Sequence, residues 1–264
     1  MNDWRHDPFF MRPLTRHQTS AGPVELPICY YDNSNVVALF KVPMAPAREL
    51  VAPAGLEPVT ISRRRVLVAV AFYDYRQVSI AAYREAGVAI AVVPAGSRPP
   101  RWPLIDLYHS LDRRMLGFHI VDLPVTTDQA CAAGIELWGL PKFVTPIDFA
   151  IDGRRLRLAV SAPDQIDGPA LVSLEGRAGP GSPAPQIEPL LYSLLDGQLL
   201  RTAVNTRGAG RIGLPGSLRL RVSDSTHPMA VRLRQLGLAG ARPWMVFRSR
   251  RLQLRLNAGV ALDY

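Results

Sequence analysis

One lysine in an apolar stretch stands out as a residue able to do covalent chemistry. The chain has 31 lysines and arginines in 264 residues, and only Lys41 and Lys142 are lysines. Lys142 lies in IELWGLPKFV (residues 135–144), among mostly apolar neighbours. A lysine amine is nucleophilic only when neutral, and removal from water favours that form. Arginine keeps its proton and cannot take this role. The position therefore allows two interpretations, a nucleophile or a snorkelling lysine whose stem crosses apolar surface.

Other motifs with a known chemical role are either absent or lack the surrounding structure that the role requires. GAGRIG (residues 208–213) matches G-x-G-x-x-G, but Leu-Pro-Gly follows it, so no helix can start there to receive a phosphate. We expect a loop at this segment. The five histidines lack the spacing of a metal site, and no G-x-S-x-G is present. We therefore predict no nucleotide, no metal and no hydrolase-type serine.

The elements that would position Lys142 are mostly strands. Several segments alternate apolar and polar residues, as antiparallel strands with one solvated face do. A continuous apolar run at 66–75 suggests a strand buried on both faces, and Gly87 suggests a bend in the next one. Helices are predicted at 47–51, at 128–138 and after His227. The alternating segments are RRLRLAVSA, ALVSLEG, SLRLRVS and RLQLRLN.

These elements predict one α+β domain over residues 1–264. Its sheet is expected to be mostly antiparallel and closed or strongly curled, with few short helices. Residues 1–26 are polar and punctuated by proline, so we predict an N-terminal arm with little regular structure. AGPGSPAP (178–185) is interpreted as a loop, because the same strand pattern resumes after it.

Composition indicates a basic soluble protein. The net charge is +9, but the arginines are scattered rather than grouped, so we predict no nucleic-acid partner. The chain has no run of eighteen apolar residues and no signal-peptide pattern at its start, so no membrane association is expected. Two cysteines are too few for a disulfide framework, which predicts a cytoplasmic location.

Three segments together resemble the acetoacetate decarboxylase family. GIELWGLPKF resembles its active-site segment, in which the lysine, here Lys142, forms a Schiff base with a keto acid. IAAYREAGVAIAV resembles the segment that carries a catalytic-site glutamate, here Glu85. FKVPMAPARELVAP resembles a segment with a tyrosine–arginine pair, whose places are taken by Phe40 and Lys41. The resemblance runs over roughly residues 36–260, and it implies a mostly antiparallel barrel or cone.

The resemblance also implies roles. Lys142 would attack the ketone, Glu85 would orient the substrate or assist proton transfer, and Lys41 would contact a carboxylate. Phe143, Tyr83 and Trp138 would line the substrate site, the last two as packing groups rather than catalysts. The substrate would be a small keto acid, decarboxylated without a cofactor. Exposed strand edges and the assembly common in the family predict a homo-oligomer.

Departures from the family pattern leave alternatives open. A second lysine follows the Schiff-base lysine in the decarboxylases, and Phe143 stands there in this chain. Lys41 replaces an arginine, and the strand VLVAVAF lacks an acid that decarboxylases carry. A Schiff-base lyase, aldolase or dehydratase acting on another keto acid, or a non-catalytic ligand-binding barrel, therefore remains an alternative. Glu136 is predicted to pair with an arginine, and His119 to be a satisfied core histidine.

Overall fold

The fold is built mainly from strands. The computed structural model of the chain describes residues 4–163, 168–185 and 187–262. Numbered in chain order, the strands are β1 Thr15–Thr19, β2 Gly22–Leu26, β3 Ile28–Pro43, β4 Leu56–Pro58, β5 Thr60–Ser62, β6 Arg65–Val78, β7 Tyr83–Pro94, β8 Gly117–Val125, β9 Lys142–Val144, β10 Ile147–Asp152, β11 Arg155–Val160, β12 Val172–Arg177, β13 Gly181–Ala184, β14 Leu190–Leu195, β15 Gln198–Gly213, β16 Arg219–Val222, β17 Met245–Leu256 and β18 Val260–Ala261.

Helices are few and short. They are α1 Met44–Val51, α2 Pro103–Asp106, α3 Asp128–Trp138 and α4 Pro228–Gln235. The predicted helices correspond to α1, α3 and α4 and are confirmed. The Thr127 side chain accepts a hydrogen bond from the Ala130 amide at the start of α3. His227 does the same for the Met229 amide at the start of α4. Each cap fixes where its helix begins.

The main sheet curls into a ring. Its hydrogen-bonded neighbours run in the order β7-β6-β3-β17-β15-β14-β8, and β8 also pairs with β7. All these pairings are antiparallel except β14 with β8, where two residue pairs form a parallel junction. The short strand β9 also lies parallel to β8, on the same edge as β14 and opposite β7. The prediction of a curled, mostly antiparallel sheet is confirmed.

Different elements pack on the two faces of the ring. Even-numbered residues of β6 and β7, such as Val68 and Ile90, are fully buried in a core shared with the second sheet, β10-β11-β12-β16, and with α1 and α4. Odd-numbered residues, such as Tyr75 and Tyr83, lie on the opposite face, where they pack with residues of β8, β15, β17 and α3. We call the face covered by the second sheet, α1 and α4 the outer face, and the opposite face the inner face.

Some local predictions were wrong. Residues 1–26 include the hairpin of β1 and β2, so the arm is partly regular. GAGRIG lies at the end of β15 and is not a loop, and β13 occupies part of 178–185. Gly87 lies in regular pairing opposite Ala71, and the irregularity falls between Val88 and Ala89 in their pairing with β8. No helix within the described ranges is long and apolar enough to cross a membrane.

A buried ion pair attaches α4 to the ring. The Asp122 side chain on β8 is 1% exposed, and the guanidinium of Arg232 on α4 binds both carboxylate oxygens. Burial raises the pKa of Asp122, while Arg232 opposes that rise. The arginine therefore keeps a carboxylate charged in a place that disfavours charge.

We expect Arg232→Met to destabilise the fold by about 3 kcal/mol at pH 7, because it leaves the Asp122 carboxylate buried without a partner. Burial raises the folded-state pKa of Asp122, and removal of Arg232, which opposes that rise, raises it further in the variant. The variant therefore gains stability relative to the wild-type protein as pH falls and Asp122 takes up a proton, and it loses that stability as pH rises. The deficit of Arg232→Met should therefore shrink between pH 7 and pH 5 in thermal melts. Asp122→Asn with Arg232→Met should remove that pH dependence, and a deficit independent of pH in the single variant would contradict the assignment.

Candidate active site

The site is organised by the turn that joins α3 to β9. Gly139 ends α3 with a left-handed backbone, φ 62°, which glycine adopts without strain. Leu140 and Pro141 follow, and Lys142 opens β9 opposite Leu123 of β8. The Lys142 amide donates to the Leu140 carbonyl oxygen at 2.8 Å, which keeps the turn tight. The side chain of Lys142 is thereby directed to the inner face of the ring.

Lys142 and Glu85 form a buried ion pair. Lys142 Nζ donates to Glu85 Oε2 at 2.8 Å, and the two side chains are 5% and 11% exposed. Glu85 reaches this position from β7, where it lies opposite Tyr73 of β6 and Val125 of β8. The structure therefore brings together the nucleophile and the acid that the sequence predicted. A carboxylate at this distance can accept a proton from the amine.

Tyrosines surround the carboxylate. The Tyr75 hydroxyl donates to Glu85 Oε1 at 3.1 Å, so each oxygen of Glu85 has its own partner. Tyr83 lies with its ring 5.6 Å from Lys142 Nζ, and its hydroxyl is 2.9 Å from that of Tyr30. Burial, and second the negative charge of Glu85, raise the pKa of all these phenols, including that of Tyr73. They remain neutral hydroxyls at neutral pH.

Helix α3 supports the stem of the lysine. A Cβ atom on Gly134 would lie 2.3 Å from Lys142 Cε and 2.4 Å from Lys142 Cδ. Real carbon atoms do not approach so closely, so only glycine at 134 leaves room for the lysine stem in this position.

Two predicted substrate-lining residues point elsewhere. Phe143 follows Lys142 on β9, and its ring centroid is 4.9 Å from that of His227, on the side that packs against α4. Trp138 is 1% exposed at the end of α3, and its indole donates to the Asn257 carbonyl oxygen at 3.1 Å. The geometry gives both residues packing roles, and among the predicted lining residues only Tyr83 faces the ion pair.

The structure does not bring Lys41 to the ion pair. Lys41 is exposed, and its Nζ lies 3.7 Å from the centre of the Trp244 ring. Asn35 is the residue of β3 that lies level with Tyr73 and Glu85. Lys41 is six residues further along the same strand, roughly 20 Å away in extended chain. Its predicted contact with a substrate carboxylate would have to occur at a distance from Lys142.

Two further predictions can be compared with the structure. Glu136 is exposed and accepts hydrogen bonds from the amide and hydroxyl of Ser20, so the predicted pairing with an arginine was wrong. His119 is confirmed as a satisfied histidine, with Nδ1 2.9 Å from the Tyr192 carbonyl oxygen. Burial lowers the pKa of His119.

Sequence reasoning missed the tyrosines of β6 and the glycine of α3. Tyr73 and Tyr75 stand in FYDYRQV, where their spacing of two places both on one face of a strand. That signal was readable, but nothing in the sequence indicated that Glu85 would share the face. The role of Gly134 could not be predicted from the sequence, because it depends on where the Lys142 side chain lies in the folded chain.

One comparison with known proteins gives a match that covers most of the chain. A family model described as acetoacetate decarboxylase matches residues 11–226. None of the curated protein sequences matches the chain significantly.

Solved structures show the same fold at low identity. An acetoacetate decarboxylase structure is 18% identical with a TM-score of 0.63, covering 89% of each chain. An acetoacetate decarboxylase from Legionella pneumophila is 13% identical with a TM-score of 0.64, covering 98% of this chain and 95% of that one. The enduracididine biosynthesis enzyme MppR, solved with the condensation product of pyruvate and imidazole 4-carboxaldehyde, is 14% identical with a TM-score of 0.62, covering 90% of this chain and 89% of that one.

We expect Lys142→Met to destabilise the fold by about 3 kcal/mol, since it leaves the Glu85 carboxylate buried without its cation. For a chain of this size that corresponds to roughly 6 to 12 °C in the thermal midpoint. Lys142→Met combined with Glu85→Gln should recover most of the loss, because a neutral amide needs no counter-ion. The Glu85→Gln single variant completes the cycle, and a double variant whose loss equals the sum of the two single losses would show that the groups are not energetically coupled.

Gly134→Ala should displace the amine from its contact with Glu85. The added methyl group overlaps the Lys142 stem, while alanine favours the helix over glycine by about 1 kcal/mol. We expect reaction of Lys142 with a carbonyl reagent to slow at least tenfold, and the thermal midpoint to fall by less than in Lys142→Met, because the helix gain offsets part of the weakened ion pair. Ile135→Ala, on the exposed side of the same helix, is the control. Unchanged labelling of Gly134→Ala would show that the stem has room to move.

Proposed function

The chain belongs to the acetoacetate decarboxylase family, and from that membership we propose that it is a Schiff-base enzyme that decarboxylates a small β-keto acid. The observation that carries the proposal is the buried contact of 2.8 Å between Lys142 Nζ and Glu85 Oε2. An amine held beside a carboxylate, with little access to water, has the two groups that carbinolamine chemistry needs: a nucleophile and a proton carrier.

The first steps use both members of the pair. Lys142 gives a proton to Glu85 Oε2, and the neutral amine attacks the ketone carbon of the substrate. Glu85 then protonates the hydroxyl of the carbinolamine, which leaves as water, and a cationic iminium group remains on Lys142. Tyr75 holds the other oxygen of Glu85 and so keeps Oε2 directed at the amine.

Bond cleavage then relies on the iminium group as an electron sink. The bond between the substrate's α-carbon and its carboxylate breaks, its electrons form an enamine, and carbon dioxide leaves. The substrate carboxylate is negative, and it would lie near ionised Glu85 and apolar inner-face residues, which disfavour its charge. Loss of that charge as neutral carbon dioxide is therefore favoured. Protonation of the enamine and hydrolysis of the iminium release the ketone and restore Lys142.

A second candidate is an aldol or dehydration reaction on the same Schiff base. The specific observation in its favour is the cluster of neutral phenols. Tyr75 contacts Glu85, and Tyr83 contacts Tyr30, so hydroxyls able to pass protons lie beside the position of an enamine. Chemistry that retains the substrate carboxylate needs such proton transfers at more than one carbon.

The test is reductive trapping followed by gas analysis. The protein is incubated with acetoacetate or pyruvate and borohydride, and the adduct is located by mass spectrometry. We expect an adduct on Lys142 and release of carbon dioxide from acetoacetate without borohydride. Lys142→Arg keeps a cation beside Glu85 but cannot form the Schiff base, so it should give neither result.

The only other lysine supplies the matched control. Lys41→Arg should still be trapped on Lys142, because its amine lies over Trp244 and away from Glu85. An adduct on Lys142 without carbon dioxide from any β-keto acid would replace decarboxylation by the second candidate. Absence of an adduct with every keto acid tried would contradict the Schiff-base proposal itself.

A further inference from the structure

Three arginines from separate parts of the chain lie together on the outer face of the ring. Arg248 of β17 lies opposite Val36, a residue of the core on that face. Arg211 of β15 lies directly opposite Arg248 on its other side. The Arg248 guanidinium donates to the Gly153 carbonyl oxygen at 3.5 Å, in the turn between β10 and β11 where Arg154 follows. The fold therefore collects positive charges that are scattered in the sequence.

The three arginines form no ion pair within the described ranges, since every such pair there involves other residues. Like charges directly opposite each other in antiparallel strands weaken the pairing. Burial, and second the charges of the neighbouring arginines, lower the pKa of Arg248. A guanidinium nevertheless keeps its proton in a protein. The repulsion between Arg248 and Arg211 is therefore relieved only if an anion joins them.

Most N–H groups of the cluster are available to a ligand. A guanidinium carries five of them. Arg248 uses one at the Gly153 carbonyl oxygen, and Arg211 uses one at the Gly181 carbonyl oxygen. The Arg154 side chain has no hydrogen-bond partner in the part of the chain that the structure describes. Arg154 and Arg211 are exposed and Arg248 is partly exposed, so a solute can reach all three.

The backbone holds the cluster in place without a ligand. Arg211 and Arg248 are neighbours across two strands, so their Cα atoms are roughly 5 Å apart. The turn that carries Arg154 is fixed by the Ala178 amide, which donates to the Arg154 carbonyl oxygen at 2.8 Å. Three flexible side chains on a fixed backbone can therefore converge on one anion.

The positive charge does not extend far beyond the cluster. On the same outer face Arg76 is paired with Asp32 and Asp74. Asp152, at the turn itself, lies opposite Arg155 across the β10–β11 hairpin. A nucleic-acid backbone laid over this face would meet these carboxylates, so the arrangement favours a small anion.

We propose that Arg154, Arg211 and Arg248 bind the phosphate-ester or diphosphate group of a small soluble molecule. The site lies on the face of the sheet opposite to Lys142, and the proposal does not rest on the Schiff-base function. A carboxylate would neutralise only one of the three cations. A phosphate ester carries about two negative charges, and its oxygens match the guanidinium fork.

The test is calorimetric titration of the wild-type protein with pyrophosphate in a chloride buffer. We expect saturable binding with one site per chain. Arg248→Gln and Arg211→Gln should each weaken it by about tenfold or more, because each removes charge-assisted hydrogen bonds. Arg248→Lys should bind between Arg248→Gln and the wild-type protein, since it keeps the charge without the fork. Arg211 is exposed, so its variant tests the site even if Arg248→Gln does not fold.

Arg16→Gln is the matched control. It removes the same charge from the N-terminal hairpin, where Arg16 lies opposite Glu25, and should bind pyrophosphate as the wild-type protein does. Absence of saturable binding, or equal weakening in Arg16→Gln and the cluster variants, would contradict the site. Binding found only when the phosphates belong to a DNA duplex or an anionic lipid vesicle would overturn the assignment to a small soluble ligand.

Discussion

The buried contact between Lys142 and Glu85 is the constraint on which the site depends. Each charge is almost removed from water, and neither would be tolerated in this place without the other. The rest of the local structure serves the pair: Tyr75 holds the free oxygen of Glu85, and Gly134 leaves space for the lysine stem. Because a proton can move between the partners without passing through water, the same contact that stabilises the folded chain would also prepare the amine for the proposed reaction.

A sheet with two different faces allows reactive groups and a tight core to share the same strands. On the outer face of β6 the residues Val66, Val68, Val70 and Phe72 are fully buried, which fixes the backbone. On the inner face the same strand carries small residues and then tyrosines. Rigid packing on the outer side fixes the backbone, so the inner side of the same strand can carry polar and reactive groups.

The sequence was sufficient for the features set by local chemistry. Alternation predicted the strands, a cap followed by proline predicted α4, and a lysine among apolar residues predicted a buried amine. The places of Lys41 and Phe143 relative to the site could not be predicted from the local sequence. Their positions relative to Lys142 depend on strand register and on which face each residue occupies, and neither follows from spacing alone.

Phe143 shows how strand geometry changes the meaning of a sequence difference. Residues next to each other in a strand face opposite ways, so an inward Lys142 requires residue 143 to face outward, whatever its type. The Phe143 ring accordingly packs on His227 in the layer beneath α4. Replacing the family's second lysine by phenylalanine therefore alters the charge of that outer layer and removes no contact from the inner face. In the proposed reaction the proton of Lys142 would pass to a group that shares its face, and Glu85 lies within contact distance.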